Sequence, residues 1–411
     1  MTNTFKAVKI TDHVYWVGAI DWAIRDFHGY FTKRGTTYNA FLIMADKITL
    51  IDTVKKPFLD EMMSRIASVT DPANIDYIVS NHAEMDHSGC LPSLLHRIKP
   101  EKVFASTHGV KCLKEHFHFD HELTEVKNGE KLSLGDMTLS FLATPMLHWP
   151  DSMFSLLEEE GVLFSQDAFG MHLASNVLFA DEQREWVLRY EAAKYFANIL
   201  LPYASRVSDL MEKTAGLISG IRIVAPDHGP IWRQNVGFII DCYHEWSAQK
   251  PTNKAVVIYD TMWESTARMA EAIGEGLSRR GDVWVKVLPI RTSHRSDIAT
   301  EVFDAGALIV GSPTLNNNLF PTVADLLYYL KGLKPLNKVG AAFGSYGWSG
   351  ESIKQINAFL DEMNVERIGD GIKTRYVPDN SVLEECVALG RSVADRMMEK
   401  VPSKDEKVRR V

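Results

Sequence analysis

The stretch IDYIVSNHAEMDHSG, residues 75–89, decides the fold of the N-terminal half. Asp76–Ser80 reads as a strand, and His82, Glu84, Asp86 and His87 then arrive within six residues. In extended backbone side chains alternate, so positions 82, 84 and 86 are expected to project to one side, with His87 added at the following turn. Ser88 and Gly89 lead into a helix, LPSLLHRI. Three more metal-type residues recur beyond strands: His148 after MTLSFLATP, Asp167 at the end of GVLFSQD, and His228 after IRIVAPD. Any one alone would read as a hydrated loop residue. Together they give seven nitrogen and oxygen donors at the ends of several strands, which points to one dinuclear metal site.

Working outward, β-type segments dominate the chain before residue 250: HVYWVGAI, TYNAFLIMADKITLIDT, EKVFAST, MTLSFLATP and GVLFSQDA, with helices such as PFLDEMMSRIASV between them. Trp186–Leu201 reads as a longer helix. EWSAQKPTNK is polar and carries a proline, as a linker does. After it strands and helices alternate: KAVVIYD, ESTARMAEAIGEGLSRRG, VWVKVLPI, SDIATEVFDA, ALIVGSPT, PTVADLLYYLKGL, KVGAAFGSYG and GESIKQINAFLDEM. Alternation of this kind means a parallel sheet with helices on both faces, and the short runs VVIY and ALIVG suit strands buried on both sides. The expected division is residues 1–248, residues 249–402, and a frayed tail at 403–411.

Three loops in the second half leave strands at their C-terminal ends, where doubly wound sheets hold ligands. The first runs Thr261, Met262, Trp263, Glu264, Ser265, Thr266. Its hydroxyls and the N–H groups of a helix N-terminus suit a phosphate monoester, although Ser-Thr before a helix is also an ordinary cap. It has neither G-x-G-x-x-G nor G-K-[ST], so dinucleotide and nucleotide-triphosphate signatures are absent. The second loop is Ser312, Pro313, Thr314, Leu315, Asn316, Asn317; the third is Ser345, Tyr346, Gly347, Trp348, Ser349, Gly350. Polar and glycine residues there can approach a flavin ring and hydrogen-bond its edge, while Trp348 or Tyr346 can stack on it.

A chain of 411 residues exceeds one ordinary core, and its net charge of −8 without a basic stripe argues against nucleic acid. Apolar runs are strand-length, so no membrane span is expected, and the opening residues lack an apolar stretch of signal-peptide length. A cytoplasmic location is the expectation. Cys90, Cys112, Cys242 and Cys386 lie far apart, with no C-x-x-C for a zinc ribbon or rubredoxin module, and read as buried small hydrophobes. His96, His108, His116, His118 and His121 have no spacing partner and are expected at the surface.

H-x-E-x-D-H resembles the H-x-H-x-D-H signature of the metallo-β-lactamase fold, which holds two zincs. Here Glu84, Asp86 and Asp167 set three carboxylates beside four histidines, and hard anionic oxygen favours a metal that cycles between Fe(II) and Fe(III). HAEMDH followed by His148, Asp167 and His228 is similar to the flavodiiron protein family (A-type flavoproteins), of the rubredoxin:oxygen oxidoreductase type. RDFHGYFTKRGTTYNAFLI and LHWPDSM resemble family segments that close over the metal pocket, making His28 a candidate pocket residue. The three loops of the second half resemble flavodoxin. The resemblance implies a metallo-β-lactamase-like αββα sandwich followed by a flavodoxin-like doubly wound parallel sheet, with FMN and two irons per chain. It implies His82, Glu84 and His148 on the iron nearer the flavin, Asp86, His87 and His228 on the other, and Asp167 bridging. It further implies reduction of O2 to water or NO to N2O, with a rubredoxin or a reduced deazaflavin as electron donor. The expected assembly is a head-to-tail homodimer, or a dimer of dimers, in which one subunit's FMN faces its partner's irons. The residues alone leave two rivals: a dinuclear zinc hydrolase fused to a flavodoxin, and an electron-transfer module with a structural N-terminal half.

Overall fold

The computed structural model describes residues 4–118, 121–218 and 220–402, so the tail expected at 403–411 lies outside the described residues. The chain forms two compact units. The first takes in the chain up to His28, then Thr32–Tyr195 and Ser205–His244; the second takes in Gly29–Phe31, Phe196–Ala204 and the chain from Glu245 onward.

In the first unit two sheets pack face to face. One has seven strands, in the order Val8–Lys9, Val14–Trp16, Phe41–Ile43, Thr49–Ile51, Tyr77–Ser80, Lys102–Ser106, Thr124–Val126; the other has five, Lys131–Ser133, Thr138–Ala143, Met153–Leu157, Val162–Phe164, Ile223–Ala225. The period of two along a strand divides their residues between layers. Phe41, Ile43, Ile51 and Val79 face Phe141, Met153, Leu157 and Phe164 in the inter-sheet core. The residues between them, Leu42, Leu50 and Ile78, face Met62, Ile66, Leu91, Leu94 and Leu113 of covering helices. Ala204–Ile218 and Val236–Ser247 are the corresponding helices of the five-stranded sheet, whose Leu156 and Leu163 line one cavity with Met211 and Ile240. This is the αββα sandwich.

The second unit's main sheet is parallel, in spatial order Trp284–Pro289, Lys254–Tyr259, Ala307–Gly311, Val339–Tyr346, with Glu366–Arg367 and Ile372–Arg375 both beside Val339–Tyr346. Counting strands along the chain, this is the 2-1-3-4-5 order of flavodoxin-like sheets. Ala307–Gly311 is buried throughout, as its unbroken apolar run requires. Beyond the expected elements, Asn380–Lys400 forms a terminal helix that buries Cys386, Val393, Ala394 and Met397.

Two local readings are corrected. The helix expected over Trp186–Leu201 is α-helical only across Glu185–Tyr195 and continues as a π-helical turn, Phe196–Leu200, before Pro202. The ligand loop is not extended through 86: Met85–Ser88 is a short helix that starts directly after Glu84, so Asp86 and His87 stand on a helical turn.

Lys338, at the start of strand Val339–Tyr346, is fully buried and donates from Nζ to the Phe303 carbonyl at 3.0 Å. Burial pushes its ammonium down to about 7, against the pull of Asp304 and with the help of Lys254. Because the unfolded chain then holds a proton that the fold lacks, the unfolding free energy rises with pH above this value. One such proton contributes up to ~1.4 kcal/mol per pH unit. Denaturant unfolding between pH 7 and about 9 is therefore expected to show this rise, and Lys338→Met to flatten it. An identical slope in the variant would contradict the assignment.

Candidate metal and flavin sites

The ligand loop turns where a buried carboxylate gathers its backbone. Asp52, directly after strand Thr49–Ile51, accepts from the Asn81 backbone N–H at 2.7 Å and from Asn81 Nδ2 at 2.9 Å. His82 follows at once. Thr53 anchors the far end, its backbone N–H donating to the His87 carbonyl at 3.0 Å. Strand pairing of Thr49–Ile51 with Tyr77–Ser80 is thereby carried into the loop that presents the donors.

The seven expected ligands converge in two groups, His82, Glu84, His148, Asp167 and Asp86, His87, His228. Asp167 belongs to both by geometry. Its Oδ2 lies 3.2 Å from His82 Nε2 and 3.0 Å from His148 Nε2, while its Oδ1 lies 3.4 Å from His87 Nε2 and 3.5 Å from His228 Nε2. Glu84 Oε2 closes the first group at 3.3 Å from His82 Nε2 and 3.2 Å from His148 Nε2. Asp86 Oδ2 closes the second at 3.2 Å from His87 Nε2 and 3.1 Å from His228 Nε2.

Every imidazole thus turns Nε2 inward, and for His82 and His228 a group outside the cluster holds the other ring nitrogen. Asp151 Oδ2 lies 3.0 Å from His82 Nδ1 and also accepts from the Ala83 N–H. Ser106 Oγ, which caps a helix through the Gly109 N–H, donates to the Asp151 carbonyl at 2.7 Å and so ties this carboxylate to the sheet. His228 Nδ1 donates to the Thr37 carbonyl at 2.6 Å, and Asp227 Oδ2 stands 3.5 Å from His87 Nδ1. Such partners fix tautomer and ring orientation for metal binding.

The donor set fits a pair of metal ions. Both oxygens of Asp86 and of Asp167, and Nε2 of His87, are buried without a well-directed hydrogen bond, although imidazole nitrogens and carboxylate oxygens stand only 3.0–3.5 Å apart. Burial opposes charge here, yet His148, His82 and His87 hold the Asp167 carboxyl well below the usual range. The Asp151, Asp167 and Glu84 carboxylates likewise outweigh burial and hold His82 well above its usual value. An anionic carboxylate shared by imidazoles that would be protonated without a cation is a nest for positive charge.

His28 Nε2 lies 3.7 Å from Glu84 Oε1 with its side chain 79% exposed, at the rim of a 660 Å³ mouth that Asp26, Lys55, Lys56 and Asp86 also line. Four neighbours went unread in the sequence: Asp151, Asp227, His172 and Tyr195. His172 is buried beside His228, their rings 4.7 Å apart, with Thr36 Oγ1 2.9 Å from its Nδ1. Tyr195 is buried with its ring 6.0 Å from that of His228; burial, then the charge of Asp167, pushes this phenol up, so it keeps its proton. None has a spacing signal, since each meets the cluster only through the fold. His116, expected at the surface, is half-buried and bonds the Ala83 carbonyl through Nδ1 at 3.0 Å.

In the second unit a 480 Å³ cavity is lined by Met262, Trp263, Ser265, the stretch Pro313–Asn317 and the stretch Ser345–Ser349. The three expected loops therefore meet. Tyr376 and Val377, after strand Ile372–Arg375, complete the wall and were not anticipated. Thr266 is buried behind the wall, 3.2 Å from Ser345 Oγ, and Ser312 Oγ braces the second loop by accepting from the Phe320 N–H. Gly350 lines a neighbouring cleft instead. Glu264 takes a left-handed φ of 61° to start helix Ser265–Ser278. Thr261 Oγ1 is buried beside that helix N-terminus without a partner, as a hydroxyl kept for a phosphate oxygen would be. Trp263 and Trp348 are 89% and 84% exposed, so their faces are open to a planar ring.

Residues 36–229 match the family model described as ODP family beta lactamase, and residues 257–390 match flavodoxin. A nitric oxide reductase from Moorella thermoacetica is 44% identical over 394 residues, 95% of this chain and 98% of that protein. The solved rubredoxin oxygen:oxidoreductase of the anaerobe Desulfovibrio gigas superposes with a TM-score of 0.95 at 43% identity, covering 97% of this chain and 100% of that one. The flavodiiron protein of Giardia intestinalis superposes at 0.92 with 33% identity, covering 97% and 99%. With ligand groups, flavin-sized cavity and full-length similarity in agreement, the chain belongs to the flavodiiron protein family.

Proposed function

We propose that this protein is an FMN- and di-iron-dependent oxidoreductase that reduces O2 to water, NO to N2O, or both. The observation that carries the reading is the division of Asp167 between two donor groups, one carboxylate oxygen to each. His82, Glu84 and His148 would hold one iron, Asp86, His87 and His228 the other, and Asp167 both. The cavity between the loops beginning at Met262, Pro313 and Ser345 would hold FMN, with Thr261 and Ser265 at its phosphate. Bound, the flavin supplies electrons singly and the metal pair supplies a place to hold both ends of a diatomic and neutralise its developing charge.

The chain's own residues set the conditions for that chemistry. Three carboxylates neutralise much of the cluster's positive charge and favour the oxidised metal. Asp151 keeps His82 in the tautomer that leaves Nε2 free to bind. Tyr195, buried beside His228, keeps the proton on its hydroxyl near a reaction that consumes protons. His28 is placed at the mouth, beside Glu84.

The proposal extends to a rubredoxin or a reduced deazaflavin as donor, and to a cytoplasmic head-to-tail homodimer, alone or paired into a dimer of dimers. Among the described residues no helix is long and apolar enough to cross a membrane.

Purified protein is expected to carry about two irons and one FMN per chain, since two donor groups and one flavin-sized cavity are present. Anaerobic stopped-flow of the reduced protein against O2 and against NO should show oxidation by at least one gas within a turnover. Two zincs, with no gas reaction after iron reconstitution, would end this reading.

Asp151→Asn keeps the side chain's shape but removes the charge that orients His82. Loss of such a partner weakens metal binding about 10–100-fold. Iron retention against a chelator is the measurement, and about one of the two irons should be lost faster. Retention equal to the unmodified protein would show that Asp151 does not position His82.

A further inference from the structure

The first unit contains a second cavity, of about 310 Å³, with walls opposite in character to the charged mouth. It lies where the five-stranded sheet meets helices Ala204–Ile218 and Val236–Ser247. Leu142, Phe154, Leu156 and Leu163 line it from the sheet, and Met211 and Ile240 from the helices. The charges on its wall satisfy each other, Lys131 Nζ pairing with Glu158 Oε1 at 2.6 Å. The cavity opens to solvent beside this pair, and its apolar depth offers water few polar partners, a setting that favours small neutral guests.

Phe169 joins this cavity to the metal cluster. Its buried ring lines the wall, 6.2 Å from Phe154 and 4.5 Å from Tyr243 between centroids. It sits two residues after Asp167 in a left-handed conformation, φ 67°, and its N–H donates to the Tyr243 hydroxyl at 2.6 Å. The next residue, Gly170, donates to the Asp167 carbonyl at 3.1 Å. One turn therefore presents Asp167 to the ligands and Phe169 to the cavity.

The mouth beside Glu84, lined by Asp26, Lys55, Lys56 and Asp86, suits protons and charged groups. A neutral diatomic is better accommodated among Leu, Ile and Phe. We propose that the 310 Å³ cavity is a binding site for small neutral apolar molecules, and that it holds the substrate gas beside the Asp167 turn. The second half of this proposal rests on gas reduction being the protein's reaction.

Crystals of the full chain pressurised with xenon test the site directly. Xenon density is expected among Leu156, Phe169 and Met211. Leu156→Trp and Leu142→Trp, at half-buried positions on the cavity wall, should each exclude xenon. Each should also raise KM for O2 or NO by about threefold or more, with kcat, iron and FMN content unchanged. Absence of xenon from the unmodified protein overturns the site. An unchanged KM in both variants after xenon is lost overturns the substrate role. Failure of the reduced protein to turn over either gas would instead refute gas reduction, and xenon occupancy would still decide whether the cavity binds.

Discussion

A single carboxylate, Asp167, organises the N-terminal unit. Its two oxygens face different pairs of imidazoles, so all the strands that carry ligands must deliver them to within a few ångströms of one buried side chain. Burial of an anion is costly unless opposite charge meets it. Here four histidines do so, and the other ring nitrogens of His82 and His228 are held in turn by Asp151 and the Thr37 carbonyl, with Asp227 3.5 Å from that of His87. The inter-sheet core of Phe41, Ile51, Val79, Phe141 and Phe164 provides the rigidity that this convergence needs. Asp52, grasping Asn81, and Ser106, grasping Asp151, are the two points where that rigidity is passed to the ligand loops.

The second unit solves a different problem with simpler means. A parallel sheet whose central strands are buried on both faces puts three loops at their C-terminal ends, and these need only hydroxyls, amides and open aromatic faces to receive a flavin mononucleotide. Among the described residues no lysine or arginine lines the cavity. The N-terminus of helix Ser265–Ser278 and the unpartnered Thr261 hydroxyl are what remains for a phosphate.

The parts legible in the sequence were those whose chemistry is local. His82, Glu84, Asp86 and His87 fall in one contiguous pattern, and the strand–helix alternation after residue 250 follows from burial on both faces. Side-chain alternation nevertheless does not hold for Asp86 and His87, because a four-residue helix, Met85–Ser88, is too short to leave a periodic signal. Asp151 and Tyr195 could not be read, since their partners lie 69 and 28 residues away and are chosen by the fold alone. The terminal helix Asn380–Lys400 is a different case. Cys386, Val393, Ala394 and Met397 stand at helical spacing, a signal legible in the sequence itself. Tyr376 and Val377 reach the flavin cavity only because the strand before them pairs with Val339–Tyr346.

The most direct measurement of whether Asp167 joins two iron sites is anomalous diffraction from crystals of the protein as isolated, recorded on both sides of the iron edge and of the zinc edge. Two iron peaks are expected, one beside each oxygen of Asp167, the first ringed by His82, Glu84 and His148 and the second by Asp86, His87 and His228. A single peak, or peaks that appear only at the zinc edge, would contradict a shared carboxylate at the centre of a di-iron site.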